Sequence, residues 1–262
     1  MKKILELKNV TAGYENYFYI SEINFSIFKK DYIGIIGPNG AGKTTLFKTI
    51  LKIIKPIKGE IFFNEQNIYK IPNNEFVKNI SVVSTNIETQ FFSVEDYVLF
   101  GRIPHFKKFQ FFETKKDLEI INYYMELTGI KKLKNKKINE ISSGEKQLTA
   151  ITRALVQEPK LLLLDESTAH LDLNHQLHIL SLLKKLRDEL NLTIMITFHN
   201  LNLAAEFCDK IILLKEGKIL KIGLPDETIT NENIRQLYNI NVLIEKNKIT
   251  KKPNILFIPD EK

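Results

Sequence analysis

One short segment combines glycines, a lysine and a threonine in the spacing of a phosphate-binding loop. Gly37-Pro38-Asn39-Gly40-Ala41-Gly42-Lys43-Thr44, with Thr45 after it, fits the pattern G-x-x-x-x-G-K-[ST]. Glycines let backbone N–H groups turn toward phosphate oxygens, and a helix N-terminus adds a partial positive charge. We expect Lys43 to reach the β- and γ-phosphates and the Thr44 hydroxyl to ligate Mg²⁺. The pattern predicts a nucleoside-triphosphate site.

Two adjacent carboxylates follow an apolar run farther along the chain. Leu161-Leu162-Leu163-Leu164 predicts a buried parallel strand that ends at Asp165 and Glu166. The carboxyl ends of such strands are where α/β sheets bind ligands. Because neighbouring side chains of a strand point to opposite faces, the two acids should have different roles. We expect Asp165 to hold Mg²⁺ and Glu166 to polarise the attacking water. The alternative is a solvated acidic turn.

Three other features suit the same chemistry. Tyr14 ends the first predicted strand, where its ring either packs on the surface or stacks on a purine base. Ser142-Ser143-Gly144-Glu145 opens a predicted helix, and Ser142 either caps that helix or belongs to a second anion-binding helix N-terminus. His199 follows the predicted buried strand 192–197. It is either structural or, as we favour beside a nucleotide site, in contact with the γ-phosphate.

Apolar periodicity predicts the elements that position these groups. Residues 3–36 are predicted to form strands, and the last of these leads into the phosphate loop. A helical insertion is predicted at about 86–158, between core segments at about 1–85 and 159–225. Glu216-Gly217 between two apolar runs predicts a hairpin. The sequence therefore predicts an α/β fold.

Composition limits the class of protein. The chain has 262 residues, of which 44% are hydrophobic and 26% charged, so it can bury a substantial core. Its single cysteine, Cys208, cannot form an internal disulfide and suits a reducing compartment. No apolar run approaches the roughly 18 residues of a spanning helix, and we expect no signal peptide. The net charge of +7 is spread along the chain, so we expect no nucleic-acid partner.

The order of these motifs resembles that of the ATP-binding subunit of ABC transporters, over roughly residues 3–240. The resemblance implies a P-loop NTPase (RecA-like) core, with an N-terminal antiparallel β part, an inserted helical subdomain and a short C-terminal tail at 241–262. By position, the matching elements are the adenine-stacking aromatic Tyr14, the Walker A loop Gly37 to Thr45, the signature Ser142 to Glu145, the Walker B aspartate Asp165, the catalytic base Glu166, the D-loop Ala169-His170-Leu171-Asp172 and the switch histidine His199.

In this family two subunits pair head to tail, and the signature of one closes over ATP held by the Walker A loop of the other. The resemblance thus implies a homodimeric ATPase that uses ATP and Mg²⁺. It also implies polytopic membrane permease subunits as partners, an indirect relation to a substrate-binding protein, and a location on the cytoplasmic face of the cell membrane.

A narrower resemblance is to the ATPases of importers of ferric siderophores, haem and cobalamin. Gly101-Arg102-Ile103-Pro104-His105, shortly after Val94-Glu95-Asp96-Tyr97-Val98, is similar to a stretch common in those proteins. The implied function is uptake of an iron chelate or cobalamin. The substrate is not expected to touch this subunit, so no residue here indicates which one is carried.

Several positions depart from the family pattern. The family places a glutamine after the strand near Val83, where this chain has Ser84 and Thr85. Thr85 or Ser84 occupies its place, depending on a one-residue gap, and we expect the Thr85 hydroxyl to ligate Mg²⁺ there, with weakened or altered coupling to the membrane subunit. Ser143 replaces a signature glycine, and Glu145 stands where glutamine is commonest.

Two other functions fit the same motifs. One is a soluble ABC ATPase of the iron–sulfur assembly type, which performs no transport. The other is a nucleotide-gated module with little turnover, suggested by the missing glutamine.

If the Thr85 loop does not carry coupling, contacts with a membrane partner are expected elsewhere in the helical insertion, such as at Arg102 and His105.

Overall fold

The computed structural model describes residues 2–14, 18–83, 91–165 and 171–258. The predicted site residues Thr85 and Glu166, and Ala169 and His170 of the D-loop, lie outside the described residues. The strands are β1 (Lys3–Tyr14), β2 (Phe18–Phe28), β3 (Tyr32–Ile36), β4 (Lys58–Phe63), β5 (Gln66–Asn67), β6 (Ile80–Val83), β7 (Leu161–Leu164), β8 (Thr193–Phe198), β9 (Lys210–Lys215), β10 (Lys218–Gly223), β11 (Val242–Lys246) and β12 (Pro253–Phe257). The helices are α1 (Lys43–Ile50), α2 (Asn73–Asn79), α3 (Val94–Leu99), α4 (Lys115–Leu127), α5 (Ser143–Leu155), α6 (Leu173–Leu190), α7 (Leu201–Phe207), α8 (Pro225–Thr228) and α9 (Asn231–Tyr238). Short 3₁₀ helices lie at Ile68–Lys70, Phe100–His105, Lys131–Leu133 and Ile138–Glu140.

The chain divides into two compact units. The first comprises Met1–Lys70 and Thr193–Lys262, and the second comprises Ile71–Leu192. The predicted helical insertion, 86–158, falls within the sequence of the second unit. Within the described ranges, no helix combines the length and the apolar character needed to cross a bilayer.

The first unit is built from two kinds of sheet. An antiparallel sheet has the strand order β2-β1-β4-β5, which confirms the predicted antiparallel N-terminal part. β3 pairs in parallel with β8 and with β9, and β9 turns into antiparallel β10. Every residue of β3 and β8 is buried, as expected for parallel strands covered on both faces. The predicted hairpin turn is confirmed, with Glu216 and Gly217 both at positive φ.

The C-terminal segment, predicted only as a tail, forms the antiparallel hairpin β11–β12. Asn202 of α7 holds this hairpin, because its side-chain oxygen accepts from the N–H of Ile255 at 2.7 Å and its amide donates to the Ile255 carbonyl at 3.1 Å. A tertiary contact therefore fixes these strands, and their sequence alone did not predict it.

The second unit joins a parallel strand pair, β6–β7, to helices α2 to α6. Local hydrogen bonds set where these helices begin. Ser93 and Thr114 each accept from the backbone N–H three residues later, and each forms a capping box with the aspartate at that position. Gly129, with φ of 75°, follows the end of α4, in the left-handed conformation that glycine commonly adopts after a helix. Helix α5 ends at Leu155.

A buried charge cluster ties α4 to the chain that follows α5. Arg102 is 4% exposed, and its guanidinium contacts the carboxylates of Asp117 at 3.0 Å and Glu158 at 2.8 Å and the carbonyl of Val156 at 2.6 Å. Burial raises the pKa of Asp117, but hydrogen bonds from Thr114 and the ion pair with Arg102 outweigh it and hold the pKa below its usual value. Arg102 therefore has a structural role inside the second unit, and the conditional expectation of partner contacts at Arg102 and His105 stays a prediction.

Replacing Asp117 with alanine should destabilise the chain strongly, because it leaves a buried guanidinium with one of its two carboxylate partners. We expect Asp117→Ala to lower the free energy of unfolding by about 3 kcal/mol, measured by urea denaturation. Glu119→Ala, at an exposed position of the same helix, is the matched control and should change it by less than about 0.5 kcal/mol. Equal unfolding midpoints for the two variants would contradict the structural role of the cluster.

Candidate functional site

The phosphate loop lies between β3 and α1, in the strand–loop–helix context that the sequence predicted. Gly40 and Gly42 have φ of 79° and 104°, a region that residues with a side chain rarely adopt. Gly42 is the N-cap of α1, and the N–H of Leu46 donates to its carbonyl at 2.8 Å. The first backbone N–H groups of α1 are thereby directed into the loop, which is the arrangement that binds phosphate.

Strand β2 and the β9–β10 hairpin pack closely against the phosphate loop and fix its conformation. A Cβ on Gly37 would lie 2.2 Å from the carbonyl oxygen of Leu214, and one on Gly42 would lie 2.7 Å from the side chain of Ile20. The N–H of Gly217, in the β9–β10 turn, donates to the carbonyl of Ala41 at 3.0 Å. The glycines are therefore required for close packing as well as for φ. The sequence pattern gave no sign of the role of β2 and of the hairpin.

The side chain of Lys43 folds back toward the start of the phosphate loop. Its side chain is buried, and its ammonium group donates to the carbonyl oxygens of Gly37 at 2.8 Å and Pro38 at 3.2 Å. These contacts hold a positive charge among the backbone groups that would surround a phosphate. The position agrees with the role expected for Lys43. The remaining residue of the loop pattern, Asn39, is exposed.

The two threonines after Lys43 differ in exposure. Thr44 is exposed on the first turn of α1, whereas Thr45 is buried and its carbonyl accepts from the Thr49 hydroxyl at 2.7 Å. A hydroxyl at the position of Thr44 is a hard oxygen donor of the kind that Mg²⁺ prefers. Thr45 contributes to the packing of the helix, and its part in nucleotide binding stays a prediction.

Tyr14 is brought to the helix that follows the loop. It is 43% exposed at the end of β1, and the Lys48 ammonium of α1 donates to its hydroxyl at 3.1 Å. The same ammonium lies 5.7 Å from the centre of the ring. The aromatic ring is therefore exposed and held beside α1, as base stacking would require.

The sheet register brings His199 level with the phosphate loop. Ile36 pairs with Phe198 in the parallel β3–β8 ladder, so Gly37 and His199 each follow one member of the same pair. His199 is exposed at this edge, and the next residue, Asn200, caps α7. Because β3 and β8 run in the same direction, residues 162 positions apart, such as Ile36 and Phe198, meet at one carboxyl edge.

In the second unit, Asp165 directly follows the β6–β7 ladder. Val83 pairs with Leu164, and the N–H of Asp165 donates to the Val83 carbonyl at 3.2 Å. The side chain of Asp165 is half-buried. The carboxylate thus lies at the carboxyl edge of a parallel pair, as the apolar run predicted.

Ser142 to Glu145 begin α5 through a capping box. The Ser142 hydroxyl accepts from the N–H of Glu145 at 3.3 Å, and the Glu145 carboxylate accepts from the N–H of Ser142 at 2.9 Å. This backbone hydrogen bond holds the pKa of Glu145 below its usual value. Helix capping by Ser142 is confirmed, and Ser143 is left exposed beside it. Anion binding at this helix end stays a prediction.

His175 is a residue that the sequence analysis missed. Asp172 caps α6 by accepting from the N–H of His175 at 3.0 Å, and its other carboxylate oxygen lies 2.7 Å from Nδ1 of that ring. These bonds hold the pKa of Asp172 below its usual value. A Cβ on Gly144 would lie only 2.2 Å from the His175 ring. The ring therefore joins the signature segment to the D-loop aspartate.

The Asp-x-x-His spacing could have indicated the link between Asp172 and His175, because it matches an N-cap and a residue on the first helical turn. The contact with Gly144 had no such signal, since it depends on how α5 and α6 pack.

Comparison with known proteins gives the family of this arrangement. The sequence profile described as ABC transporter matches residues 20–169. An uncharacterised ABC transporter ATP-binding protein of Methanocaldococcus jannaschii is 37% identical, over 90% of this chain and 82% of that protein. The iron(3+)-hydroxamate import ATP-binding protein of Bacillus subtilis is 34% identical, over 95% and 93%. The ferric enterobactin transport ATP-binding protein of Escherichia coli is 32% identical, over 95% and 92%.

Solved structures agree with this grouping. A metal-chelate type ABC transporter in an inward-facing conformation superposes with a TM-score of 0.87 at 29% identity, covering 99% of this chain and 98% of that chain. An ATP-binding cassette solved as a dimer in a post-hydrolysis state, bound to ADP and phosphate, has a TM-score of 0.70 at 27% identity, covering 84% and 98%. The predicted fold class, a P-loop NTPase core with an inserted helical part, is thereby confirmed. With its phosphate loop, capped signature helix and aligned strand ends, this chain belongs to the ABC transporter family as an ATP-binding protein.

Proposed function

We propose that this chain is the ATP-hydrolysing subunit of an importer that carries an iron chelate, such as a siderophore complex or haem, or cobalamin, through a membrane permease. The observation that carries the proposal is the alignment of the Lys43 loop with His199 at the ends of paired strands. The names of the relatives support the substrate class, since two of them import or transport ferric chelates.

Binding of ATP follows from the loop geometry. Backbone N–H groups of the loop and the Lys43 ammonium surround the phosphates, and the Tyr14 ring stacks on adenine. Mg²⁺, when bound, supplies charge neutralisation to the phosphate oxygens. We propose that the hydroxyls of Thr44 and Thr85 and the carboxylate of Asp165 hold it, since these are oxygen donors of the kind it prefers.

Hydrolysis needs a base and a group that stabilises the charge of the transferred phosphoryl group. In our proposal the Glu166 carboxylate takes a proton from the attacking water, and the water oxygen bonds to the γ-phosphorus as the bond to ADP breaks. His199 donates a hydrogen bond to a γ-phosphate oxygen and so stabilises the transition state. The Lys43 ammonium stabilises the same charge from inside the loop.

The complete site requires two copies of the chain. We propose that the N-terminus of α5 in one copy, with Ser143 and Gly144, closes over ATP held by the phosphate loop of the other. The post-hydrolysis dimer of a related cassette supports this arrangement. Permease subunits then hold the dimer at the cytoplasmic face of the membrane, and a substrate-binding protein acts only through the permease. Co-purification with a polytopic membrane protein separates this proposal from a soluble ABC ATPase.

Lys43→Ala should remove most ATP binding, because the phosphates lose their buried cationic partner. A loss of a charged hydrogen bond of this kind weakens binding by at least about tenfold. Binding is measured with a fluorescent ATP analogue. Uptake of labelled ferric hydroxamate, haem and cobalamin is measured in cells that lack the gene for this chain and express either the wild type or the variant. Lys55→Ala, exposed beyond the end of α1, is the control.

Unchanged ATP affinity in Lys43→Ala would contradict the loop assignment. Normal ATPase activity of the wild type with no uptake of any of the three substrates would reject the transport proposal alone.

Glu166→Gln should bind ATP and stall hydrolysis, since glutamine cannot accept the proton from water. We expect the turnover rate to fall by about 10²- to 10⁴-fold. The variant should accumulate as an ATP-bound dimer in size-exclusion chromatography. Wild-type turnover in this variant would place the general base elsewhere.

His175→Ala should weaken ATP-driven dimerisation, because the signature segment and the D-loop aspartate lose the ring that joins them. In the Glu166→Gln background we expect the dimer dissociation constant to rise about fivefold to tenfold. His178→Ala is the matched control, because His178 lies one turn farther along the same helix and is exposed. If the two variants dimerise equally well, the His175 ring is not needed for formation of the ATP-bound dimer.

A further inference from the structure

The segment between the 3₁₀ helix at Phe100–His105 and α4 exposes an unusual amount of aromatic surface. We call residues 106–113 the aromatic loop. Phe109, Phe111 and Phe112 are 79%, 81% and 80% exposed. Exposed apolar residues are ordinary when they are scattered singly, but large rings clustered within four positions mark an interaction surface.

Hydrogen bonds to one polar side chain hold the aromatic loop in this form. The Gln110 carbonyl oxygen accepts from the N–H of Lys107 at 3.0 Å, and its amide donates to the carbonyl of Phe112 at 3.0 Å. The backbone N–H of Gln110 donates to the Lys107 carbonyl at 2.9 Å. The glutamine is half-buried while the rings around it are exposed. A structured turn therefore presents the rings outward, against the usual order of polar outside and apolar inside.

The ends of the aromatic loop are anchored as well. Before it, Arg102 is fixed by Asp117, and the His105 ring lies 2.9 Å from the carbonyl of Gln157. After it, Thr114 forms the capping box that starts α4. Because buried or capped groups hold both ends, the position of the rings is set by the second unit and not by the loop alone.

Basic residues surround the rings. Lys107, Lys108, Lys115 and Lys116 are all exposed, and Glu113 is the single acid from 106 to 116. The Lys108 ammonium lies 5.3 Å from the centre of the Phe109 ring. Interfaces between proteins are depleted of lysine at their cores. Rings interleaved with lysines are instead typical of segments that bind at the boundary between water and an anionic bilayer.

We propose that the aromatic loop binds directly to an anionic lipid surface, with the phenylalanine rings among the headgroups and the lysines on lipid phosphates. The contact is separate from nucleotide binding and from docking on a permease, so it goes beyond the proposed function. It would hold the chain at the membrane through lipid as well as through a protein partner.

Vesicle flotation of the purified full-length chain tests the proposal. We expect binding to vesicles of phosphatidylcholine with phosphatidylglycerol, little binding to phosphatidylcholine alone, and loss of binding at high salt. Phe111→Ser/Phe112→Ser should weaken binding to the anionic vesicles by about tenfold or more. Phe257→Ser, at an exposed position of β12, is the control and should bind as the wild type does.

Charge reversal tests the electrostatic part. Lys107→Glu/Lys108→Glu should weaken binding to anionic vesicles by about tenfold or more, whereas Lys184→Glu/Lys185→Glu, an exposed pair on α6, should have little effect. ATPase activity measured without vesicles should be the same in all of these variants, because none alters a residue assigned to the nucleotide site. A failure of lipid binding is thus distinct from a failure of the ATPase.

A fluorescent residue reports ring insertion directly, since the chain contains no tryptophan. Emission of Phe111→Trp should shift to shorter wavelength when anionic vesicles are added, and emission of Phe257→Trp should not. Absence of wild-type binding to anionic vesicles, or equal binding by the loop variants, would overturn the proposal. Retention on native membranes that protease treatment abolishes, without binding to pure lipid, would show that the loop docks on a protein instead.

Discussion

The parallel pairing of β3 with β8 and β9 is the constraint on which the first unit's site depends. Ile36 pairs with Phe198 on one side and with Leu213 on the other, so the loops that follow these strands meet at one edge. The Gly37 turn, His199 and the β9–β10 hairpin are thereby brought together. A change of register by one residue would reverse the face of every side chain on a strand, so the buried apolar surface maintains the site.

In the second unit, side chains at helix ends organise the segments assigned to nucleotide chemistry. Ser142 and Glu145 begin the signature helix, and Asp172 begins α6 while holding the His175 ring against Gly144. The hydrogen bonds of Ser142 with Glu145 and of Asp172 with His175 are short-range and order a helix start whether or not nucleotide is present. Ordering a segment beforehand reduces the entropy lost when a ligand or a second copy binds.

Charge in this unit serves two different purposes. The guanidinium of Arg102 is buried against Asp117 and Glu158, where losing a partner would be costly. The lysines of the aromatic loop are exposed, where each contributes little to stability and can interact with an external anionic surface. The sequence alone did not distinguish these cases, since Arg102 and Lys107 both belong to a basic, aromatic stretch. Burial decides between a structural and a binding role.

The sequence by itself determined the chemistry of the chain. The Gly37–Thr45 loop, Asp165 after β7 and the capping serine at 142 could be predicted because each depends on residues close together in the chain, through local conformation and hydrogen bonding. Only the tertiary structure decided that His199 lies level with Gly37 and that His175 packs on Gly144. Those contacts join distant segments, and they depend on strand register and on helix packing, which are fixed by burial of the whole core.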